Sequence, residues 1–480
     1  MRTRIGVFGW GVVAPKSPNI EAFRRNLESS KSWLEPFNGF GPDNFLVGVP
    51  EFRFEDYQQW IDSRFAPRHY RNLKEKMDSP TLYALGAFIQ ALGQNAGLEQ
   101  ELRALGPRAH VYLGTGLGSL GTIHDASIKL HESQRRWNEF WEGRANDLQQ
   151  YLEELAAIDG APIEGEIETG KLNAIRVREK RRARLQEKWG APEPPWNVSA
   201  NVIWNIHNTP AAQVSILGRI TGLAFAPVAA CSTFGVALRL AMRAIQCGDA
   251  KLVVVGATDP PPHPLLVGAF YNARVLSASR RVSVPLTRLE GTHVAGGSII
   301  WIVGDLEYFR AKGFKPLGME PVAVGTSSDA HHIITPTVEG PKAAIGMALD
   351  EAGVGADAMG TWDLHATATP GDYAELNTLR TVVPDAVLVT ARKGTFGHGM
   401  SAGGGWELTA QYLGYEKGRL FPTPLERGEL NRAIASLHES VVFDEACSFP
   451  DGMAGKLSMG IGGINACVIS RPLSTASSSE

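Results

Sequence analysis

The chain has 480 residues, of which 44% are hydrophobic and 20% are charged, and its formal net charge is −3. This balance is ordinary for a soluble globular protein, and the length is enough for a large core or a duplicated domain. The small net charge gives no indication of general nucleic-acid or membrane-surface binding, and no apolar run approaches the length of a membrane-spanning helix.

Alternating strand and helix patterns in the first half predict an α/β protein. Strands are predicted at 5–13, 110–113, 223–230, 251–258 and 296–303. Helices are predicted at 17–29 and 77–98, and a third, with apolar residues from Val236 to Ile245, is closed by Gly248; a long irregular loop is predicted over 38–70.

Residues 131–190 differ in composition from the rest and are predicted to form a charged helical insert. Its acidic block comprises Glu153, Glu154, Asp159, Glu164, Glu166 and Glu168, and its basic block comprises Arg176, Arg178, Lys180, Arg181, Arg182, Arg184 and Lys188. The two blocks are expected to neutralise each other as a solvated surface, and the alternative is a docking surface for a charged partner.

The second half repeats the alternation of strands and helices. Strands are predicted at 321–324, 362–365, 386–389, 440–446 and 456–470, and helices at 341–352, 373–381 and 401–415. Both halves end in paired strands, so we predict an internal duplication with halves at 1–305 and 306–480.

Cys231 is predicted to lie where a buried strand turns into a helix, which runs to Gly248. Backbone N–H groups and the positive end of the helix dipole at such a position would favour a thiolate. Cys231 is therefore a candidate nucleophile, although most free cysteines are simply small buried hydrophobes. The other three cysteines, Cys247, Cys447 and Cys467, form no zinc-type spacing with it, so we expect reduced thiols in a cytoplasmic protein and no metal site.

Two glycine motifs suggest competing chemistries. Gly116, Gly118 and Gly121 spell a dinucleotide-binding G-x-G-x-x-G after a strand, but the second strand with its acidic residue is missing downstream. Residues 399–403 match the G-x-S-x-G elbow of hydrolases around Ser401, but a polar glycine-broken loop precedes the serine where a strand is needed. Neither a nucleotide cofactor nor a serine nucleophile is expected.

Two histidines are candidate partners for the cysteine. His365 follows the strand that begins at Trp362, and His398 lies with Lys393 in a glycine-rich loop after another strand. Reacting groups collect at the carboxyl ends of strands in such sheets. Neutral imidazoles there could donate hydrogen bonds to a carbonyl oxygen on which negative charge develops.

Taken together, these motifs resemble those of the β-ketoacyl-[acyl-carrier-protein] synthases, condensing enzymes of the thiolase-like superfamily. The matching stretches occur in the family's order: 9–15 (GWGVVAP), 114–116 (GTG), 230–233 (ACST), 328–336 (SDAHHIITP), 365–370 (HATATP), 393–398 (KGTFGH) and 459–465 (MGIGGIN). The resemblance covers nearly the whole chain except the insert, and it implies a duplicated α-β-α-β-α layered fold.

The resemblance implies a role for each matching residue. Cys231 would carry the acyl group, and His365 and His398 would stabilise the enolate formed when a malonyl-type extender loses CO₂. The backbone N–H groups of Cys231 and Ile461 would form the oxyanion hole. The resemblance further implies that Thr367 and Thr369 hold the pantetheine arm and that Lys393 and Glu375 form a supporting charged pair.

Three departures from the family pattern are visible in the sequence. Ala366 stands where a glycine is usual, the step from Pro370 to Asp372 is one residue short, and Ile461 replaces the usual phenylalanine gate. They suggest a specialised synthase with altered acyl selection, of fatty-acid or polyketide type.

The expected partners are an acyl carrier protein and a second synthase subunit, as a homodimer or a heterodimer, with no cofactor. Two alternatives stay open: a thiolase-like acyltransferase on coenzyme A substrates, in which Cys447 or Cys467 would act as a base, and a non-catalytic partner subunit.

Overall fold

The computed structural model describes residues 2–40, 45–162 and 169–473, except for the side chains of residues 169, 435, 437 and 438. The strands are β1 (Ile5–Val13), β2 (Glu35–Pro36), β3 (Leu46–Val47), β4 (Ala109–Gly114), β5 (Ala224–Phe225), β6 (Leu252–Asp259), β7 (Gly297–Asp305), β8 (Met319–Ser328), β9 (Met359–Asp363), β10 (Leu388–Thr390), β11 (Arg419–Leu420), β12 (Cys447–Ser448), β13 (Met453–Gly460) and β14 (Ile464–Pro472).

The α-helices are α1 (Ile20–Asn26), α2 (Gln58–Asp62), α3 (Arg68–Lys76), α4 (Ser79–Leu92), α5 (Leu98–Leu105), α6 (Leu120–Trp141), α7 (Ala145–Asp159), α8 (Thr169–Trp189), α9 (Asn201–Trp204), α10 (Thr209–Gly218), α11 (Thr233–Cys247), α12 (Pro264–Asn272), α13 (Leu306–Ala311), α14 (Glu339–Ala352), α15 (Gly371–Arg380), α16 (Lys393–Phe396) and α17 (Met400–Lys417). Short 3₁₀ turns lie at Phe54–Tyr57, Gly106–Arg108, Ala230–Ser232, Ala356–Ala358, Arg427–Glu429 and Arg432–Ser440.

Two five-stranded sheets share one topology. The first has the order β1-β7-β6-β4-β5 and the second the order β8-β14-β13-β9-β10. In each sheet the first three strands pair antiparallel and the remaining pairs are parallel. The predicted internal duplication is therefore present as a repeat of strand order, although no residue-level repeat marks it in the sequence. Because all strands of the first sheet precede those of the second, we propose that the two halves divide near residue 305.

The helices place the two sheets in separate layers. Helices α11 and α17 contact strands of both sheets, α4 and α10 pack on the first sheet, and α14 packs on the second. Helix α17 is buried along its first fifteen residues, as expected for a helix sandwiched between two sheets. The predicted α-β-α-β-α layering is confirmed.

Residues 121–203 form a compact unit of their own, distinct from the unit made of residues 1–120 and 204–480. Its core is an aromatic cluster that contains Trp137, Trp141 and Tyr151, with Leu155 and Leu185 beside them. The helical character predicted for 131–190 is present in α6, α7 and α8. Glu164, Glu166 and Glu168 of the predicted acidic block lie outside the described residues.

Several predicted elements differ from the structure. The strand predicted over 223–230 is only two residues long, because its pairing with β4 ends at Phe225 and a 3₁₀ turn begins at Ala230. The loop predicted over 38–70 contains β3, a 3₁₀ turn and α2. The strand predicted over 440–446 is wrong, and the strand predicted over 456–470 is a hairpin whose turn contains Gly462 and Gly463, both with positive φ. Hydrophobic runs mark burial, and they do not by themselves fix where a strand ends.

Across the stretches that the structure describes, no helix has both the length and the apolarity needed to cross a bilayer.

Candidate active site

The three predicted catalytic side chains meet at one cavity. The cavity has a volume of about 320 Å³, and its lining includes Cys231, His365 and His398. His398 Nε2 lies 3.1 Å from Cys231 Sγ. The two imidazole rings stand edge to face with centroids 5.3 Å apart, so one thioester carbonyl can reach both.

Each catalytic residue is next to, or close to, a residue in a strained backbone conformation. Ala230 precedes the cysteine with φ 47°, Met400 lies two residues after His398 with φ 46°, and Ala368 follows His365 by three residues with φ 59°. Positive φ values are unfavourable for residues other than glycine, and such strain collects at functional sites, where surrounding contacts hold it. The loops that present the site are therefore fixed by tertiary packing rather than by local preference.

The Cys231 sulfur is not set up as a thiolate at rest. Burial raises the pKa of Cys231 to about 11, although the Lys393 ammonium and the backbone N–H groups of Ile461 and Cys231 act to lower it. The backbone N–H at the helix start does favour ionisation, as predicted, but desolvation outweighs it and the net shift of the pKa is upward. The thiol faces an imidazole that can accept its proton.

Both histidines are held neutral. Burial lowers the pKa of His365 and of His398 well below the usual range, and the Lys393 ammonium lowers both further. His398 Nδ1 is buried and makes no hydrogen bond to any described group. Neutral imidazoles can accept a proton from a thiol and can donate N–H groups without carrying charge.

Ile461, the predicted gate, lies in the β13–β14 turn and lines the same cavity, with 44% of its surface exposed. Its backbone N–H and that of Cys231 both act on the sulfur. The two groups predicted as an oxyanion hole are therefore on the same side of the cavity as the nucleophile. The turn is tied to a neighbouring loop, because the N–H of Gly462 donates to the carbonyl of Ile333 at 2.7 Å.

Thr367 and Thr369 line the cavity, and their hydroxyl groups lie 2.9 Å apart. Asp372 fixes the loop that carries them, since its carboxylate accepts from the backbone N–H groups of Thr367 at 2.7 Å and Ala368 at 3.0 Å. Burial raises the pKa of Asp372 to about 6 in spite of these donors. Sequence reasoning did not assign this role, although an aspartate in the first turn of a helix after Pro370 is a recognisable signal.

The predicted charged pair has different partners in the structure. Lys393 Nζ lies 2.6 Å from Glu407 Oε1 and also donates to the carbonyl of His365. Glu375 instead accepts from the backbone N–H groups of His365 at 2.6 Å and Ala366 at 2.7 Å. The expected Lys393–Glu375 pair is wrong, because Lys393 pairs with Glu407 instead. Lys393 and Glu375 nevertheless both bind the backbone of the loop that begins at His365. Burial raises the pKa of Glu375 to about 7.

The two competing glycine motifs meet at one buried carboxylate, that of Asp259. Its Oδ1 accepts from the N–H groups of Gly116 at 3.0 Å and Leu117 at 2.9 Å, which a phosphate would need in a dinucleotide site. Its Oδ2 accepts from the N–H and the hydroxyl of Ser401, so that serine is bonded to a carboxylate rather than to an imidazole base. Both motifs thus have a structural explanation. No group of three or more His, Cys, Asp or Glu side chains within the described ranges is arranged to hold a metal ion.

Comparisons with known proteins agree with this geometry. Residues 160–298 match the family described as "Beta-ketoacyl synthase, N-terminal domain", and residues 320–425 match its C-terminal domain. The chain therefore belongs to the β-ketoacyl synthase family.

Curated relatives include the 3-oxoacyl-[acyl-carrier-protein] synthase 2 of Vibrio cholerae, which is 27% identical over 85% of this chain and 84% of its own length. The protein of the same name from Rhizobium meliloti is 26% identical over 98% of both chains.

Solved ketosynthases have the same fold. A type II polyketide ketosynthase in complex with its acyl-carrier protein has a TM-score of 0.72 at 19% identity, and it aligns over 98% of this chain and 100% of its own. A β-ketoacyl synthase from Burkholderia phymatum has a TM-score of 0.73 at 19% identity, with the same coverage. The thiolase-like fold predicted from the sequence is thus confirmed.

Proposed function

We propose that this protein catalyses decarboxylative Claisen condensation between an acyl group on Cys231 and a malonyl-type thioester on an acyl carrier protein, in fatty-acid or polyketide-type biosynthesis. The observation that carries this proposal is the convergence of one thiol and two neutral imidazoles on one cavity. An acyl-enzyme divides a difficult carbon–carbon bond formation into two easier steps.

In the first step the Cys231 sulfur attacks the carbonyl of an acyl thioester. Its proton passes to His398 Nε2, which lies 3.1 Å away. The backbone N–H groups of Cys231 and Ile461 stabilise the oxyanion, and each such donor typically contributes about 3 kcal/mol. The departing pantetheine thiolate takes the proton from His398, so the imidazole is neutral again when the acyl-enzyme has formed.

In the second step a malonyl thioester binds with its carbonyl oxygen between His365 and His398. The bond between the α-carbon and the carboxylate breaks, CO₂ leaves, and the electron pair forms an enolate. An N–H of His365 stabilises it, and His398 does so as the tautomer with its hydrogen on Nε2, which forms by proton exchange after the acyl-enzyme is complete. The enolate carbon attacks the acyl carbonyl, the Cys231 thiolate is expelled, and a proton from solvent restores the thiol.

The alternatives have less support. A thiolase-type mechanism needs a second cysteine at the reacting carbon, but Cys447 and Cys467 do not belong to the cavity lining. Cys467 is fully buried in β14, and burial strongly raises its pKa. A non-catalytic role needs a site that cannot react, whereas the nucleophile and both imidazoles are in place here.

The test is trapping of the acyl intermediate. The protein, incubated with an acyl-carrier protein loaded with a short or medium acyl chain, is expected to gain one acyl group by intact-mass spectrometry. Cys231→Ala should abolish the gain, and Cys247→Ala, at an exposed free cysteine, should leave it unchanged. Equal labelling of Cys231→Ala and the parent would refute the proposed nucleophile.

We further propose that the protein works in the cytoplasm as a homodimer or as a heterodimer with a related synthase. Four free thiols suit a reducing compartment. Strand β5 is at the open edge of the first sheet, flanked by Leu223 and Val228, which are 54% and 56% exposed. An exposed edge with apolar neighbours is a favourable place for a second subunit to pair. Sedimentation of Leu223→Glu beside the parent should then show the loss of a dimer.

A further inference from the structure

Lys456 is a buried cation that no recognised sequence motif contains. It lies in β13, is 1% exposed, and its Nζ is 2.6 Å from Glu407 Oε2. The same ammonium donates to the carbonyls of Leu457 at 2.6 Å and Leu364 at 3.2 Å. A buried charge is costly even when it is paired, and an apolar residue would fill this space at lower cost. Because Lys456 holds the carbonyl of the residue just before His365, its presence points to a role beyond stability.

We propose that Lys456 is a positioning residue that keeps the two imidazoles neutral and in place, so that the enolate is held for condensation rather than protonated. This inference rests on the proposed function. It adds a residue that decides whether the enolate condenses with the acyl group or is protonated.

The geometry links Lys456 to the loop that carries His365. Lys456 binds the carbonyl of Leu364, and Lys393 binds the carbonyl of the next residue, His365. The two ammonium groups are themselves joined, because Glu407 presents one carboxylate oxygen to each at 2.6 Å. Two consecutive carbonyls at the end of β9 are thus held by one lysine–glutamate–lysine bridge.

The same bridge places positive charge next to both imidazoles. Lys393 and Lys456 each act to lower the pKa of His365 and of His398. The charged and titratable groups that line the cavity with the two rings are Cys231, Asp329, Asp372 and Glu375. Those of the buried cluster that contains Lys456 are Asp363, Arg392, Lys393 and Glu407, and Asp259 acts on Cys231. Removing the Lys456 charge leaves one oxygen of Glu407 unpaired, so the imidazole pKa values must rise.

Neutrality of the imidazoles decides the fate of the enolate. A neutral imidazole N–H stabilises the enolate oxygen but is a very weak acid. An imidazolium in the same place can transfer its proton to the enolate carbon, which converts a malonyl thioester and a proton into an acetyl thioester and CO₂. The extender is then consumed without a new carbon–carbon bond.

The test compares the parent with Lys456→Met and Lys456→Gln, both of which remove the charge, while the glutamine keeps a donor for Leu364. Lys251→Met is the control, since that lysine also binds a carboxylate, Asp305, at 2.6 Å but lies just before β6, away from the cavity lining, with its side chain 26% exposed. Each protein receives acyl- and malonyl-loaded carrier protein between pH 5.5 and 8.5, and mass spectrometry measures condensed product and acetyl-carrier protein.

In both Lys456 variants the ratio of acetyl to condensed product is expected to rise about tenfold at pH 6. As the pH is lowered, this ratio should begin to increase about one pH unit higher than in the parent. At pH 8 and above, acylation of Cys231 should change by less than about threefold, because His398 stays neutral there in every variant and can still accept the thiol proton.

A product ratio unchanged at every pH in whichever variant folds would overturn the inference, as would equal losses of acylation and condensation at a constant ratio. If the parent itself releases no CO₂, the proposed function fails instead, so the two failures are distinguishable.

Discussion

Two lysine–glutamate pairs of this protein have nearly the same distance between nitrogen and oxygen, but one pair is buried and the other is exposed to solvent. Lys393 and Glu407, beside the catalytic cavity, lie 2.6 Å apart with side chains 2% and 1% exposed. Lys188 and Glu154, within residues 121–203, lie 2.7 Å apart with side chains 59% and 31% exposed. Coulomb attraction grows as the local dielectric constant falls, but so does the cost of removing each charge from water. Distance alone therefore says little about what a pair does.

The buried pair belongs to a continuous cluster in the second half of the chain. Asp363 binds Arg392 at 2.8 Å and has Lys456 at 4.0 Å, and Glu407 connects Lys456 to Lys393. The exposed pairs of 121–203 lie at the surface. Some join two helices, as Arg182 with Asp159 at 2.8 Å does, and others lie within one helix, as Arg135 with Glu139 at 3.9 Å does. Water and salt can replace the second kind of contact and not the first.

The largest effect is expected from Glu407→Gln. This change leaves two buried ammonium groups facing an amide, and loss of one partner from a buried pair typically costs about 3–5 kcal/mol of the free energy of unfolding. Urea denaturation followed by far-UV circular dichroism measures it, and the loss should persist in 1 M salt because the site excludes counterions. A loss below about 1 kcal/mol would mean that water reaches the cluster.

The next effect concerns the sulfur, which lies in the same dry environment. Because the pKa of Cys231 is raised to about 11, its thiolate fraction should increase about tenfold per pH unit from pH 7 to 9. Alkylation of Cys231 by iodoacetamide in a Cys247→Ala background, followed by peptide mass spectrometry, should show this slope.

A rate that levels off near pH 8 would instead indicate a sulfur ionised by the helix start, as the sequence alone suggested. In that case the first step would need no proton transfer to His398. The parent's acylation rate would then be independent of pH in the same interval. That rate is a second measurement of whether the Cys231 sulfur is ionised at rest.

Site residues that belong to short sequence motifs could be predicted from the sequence. Cys231, His365 and His398 each sit in a short motif after a predicted strand, and the structure brings all three to one cavity. The positions of the sheet strands along the chain could also be predicted, because hydrophobic runs marked eight of the ten in approximate position and the last two as one run.

The supporting cluster could not be predicted in the same way, because its members are distant in sequence. Glu407 lies within a helix and Lys456 within a strand, each among apolar residues that give no hint of a partner. A charged residue within a run of apolar residues indicates a buried charge, but it does not identify the partner. The pairing of Glu407 with Lys456 depends on how α17 packs against β13. The sign of the Cys231 pKa shift was missed for the same reason, since desolvation is a property of the packed fold.

The smallest effect is expected from Glu154→Gln, at the exposed pair. Lys188 would lose a partner but remain solvated, so the thermal midpoint should move by less than about 2 °C, and high salt should remove even that difference. Differential scanning fluorimetry at 0.1 M and 1 M salt measures both values. Acylation of Cys231 in this variant should match the parent, which serves as a check that the catalytic unit is intact. A shift as large as that of Glu407→Gln would show that the helices of 121–203 depend on this bridge, and the contrast between buried and exposed pairs would then not hold for this protein.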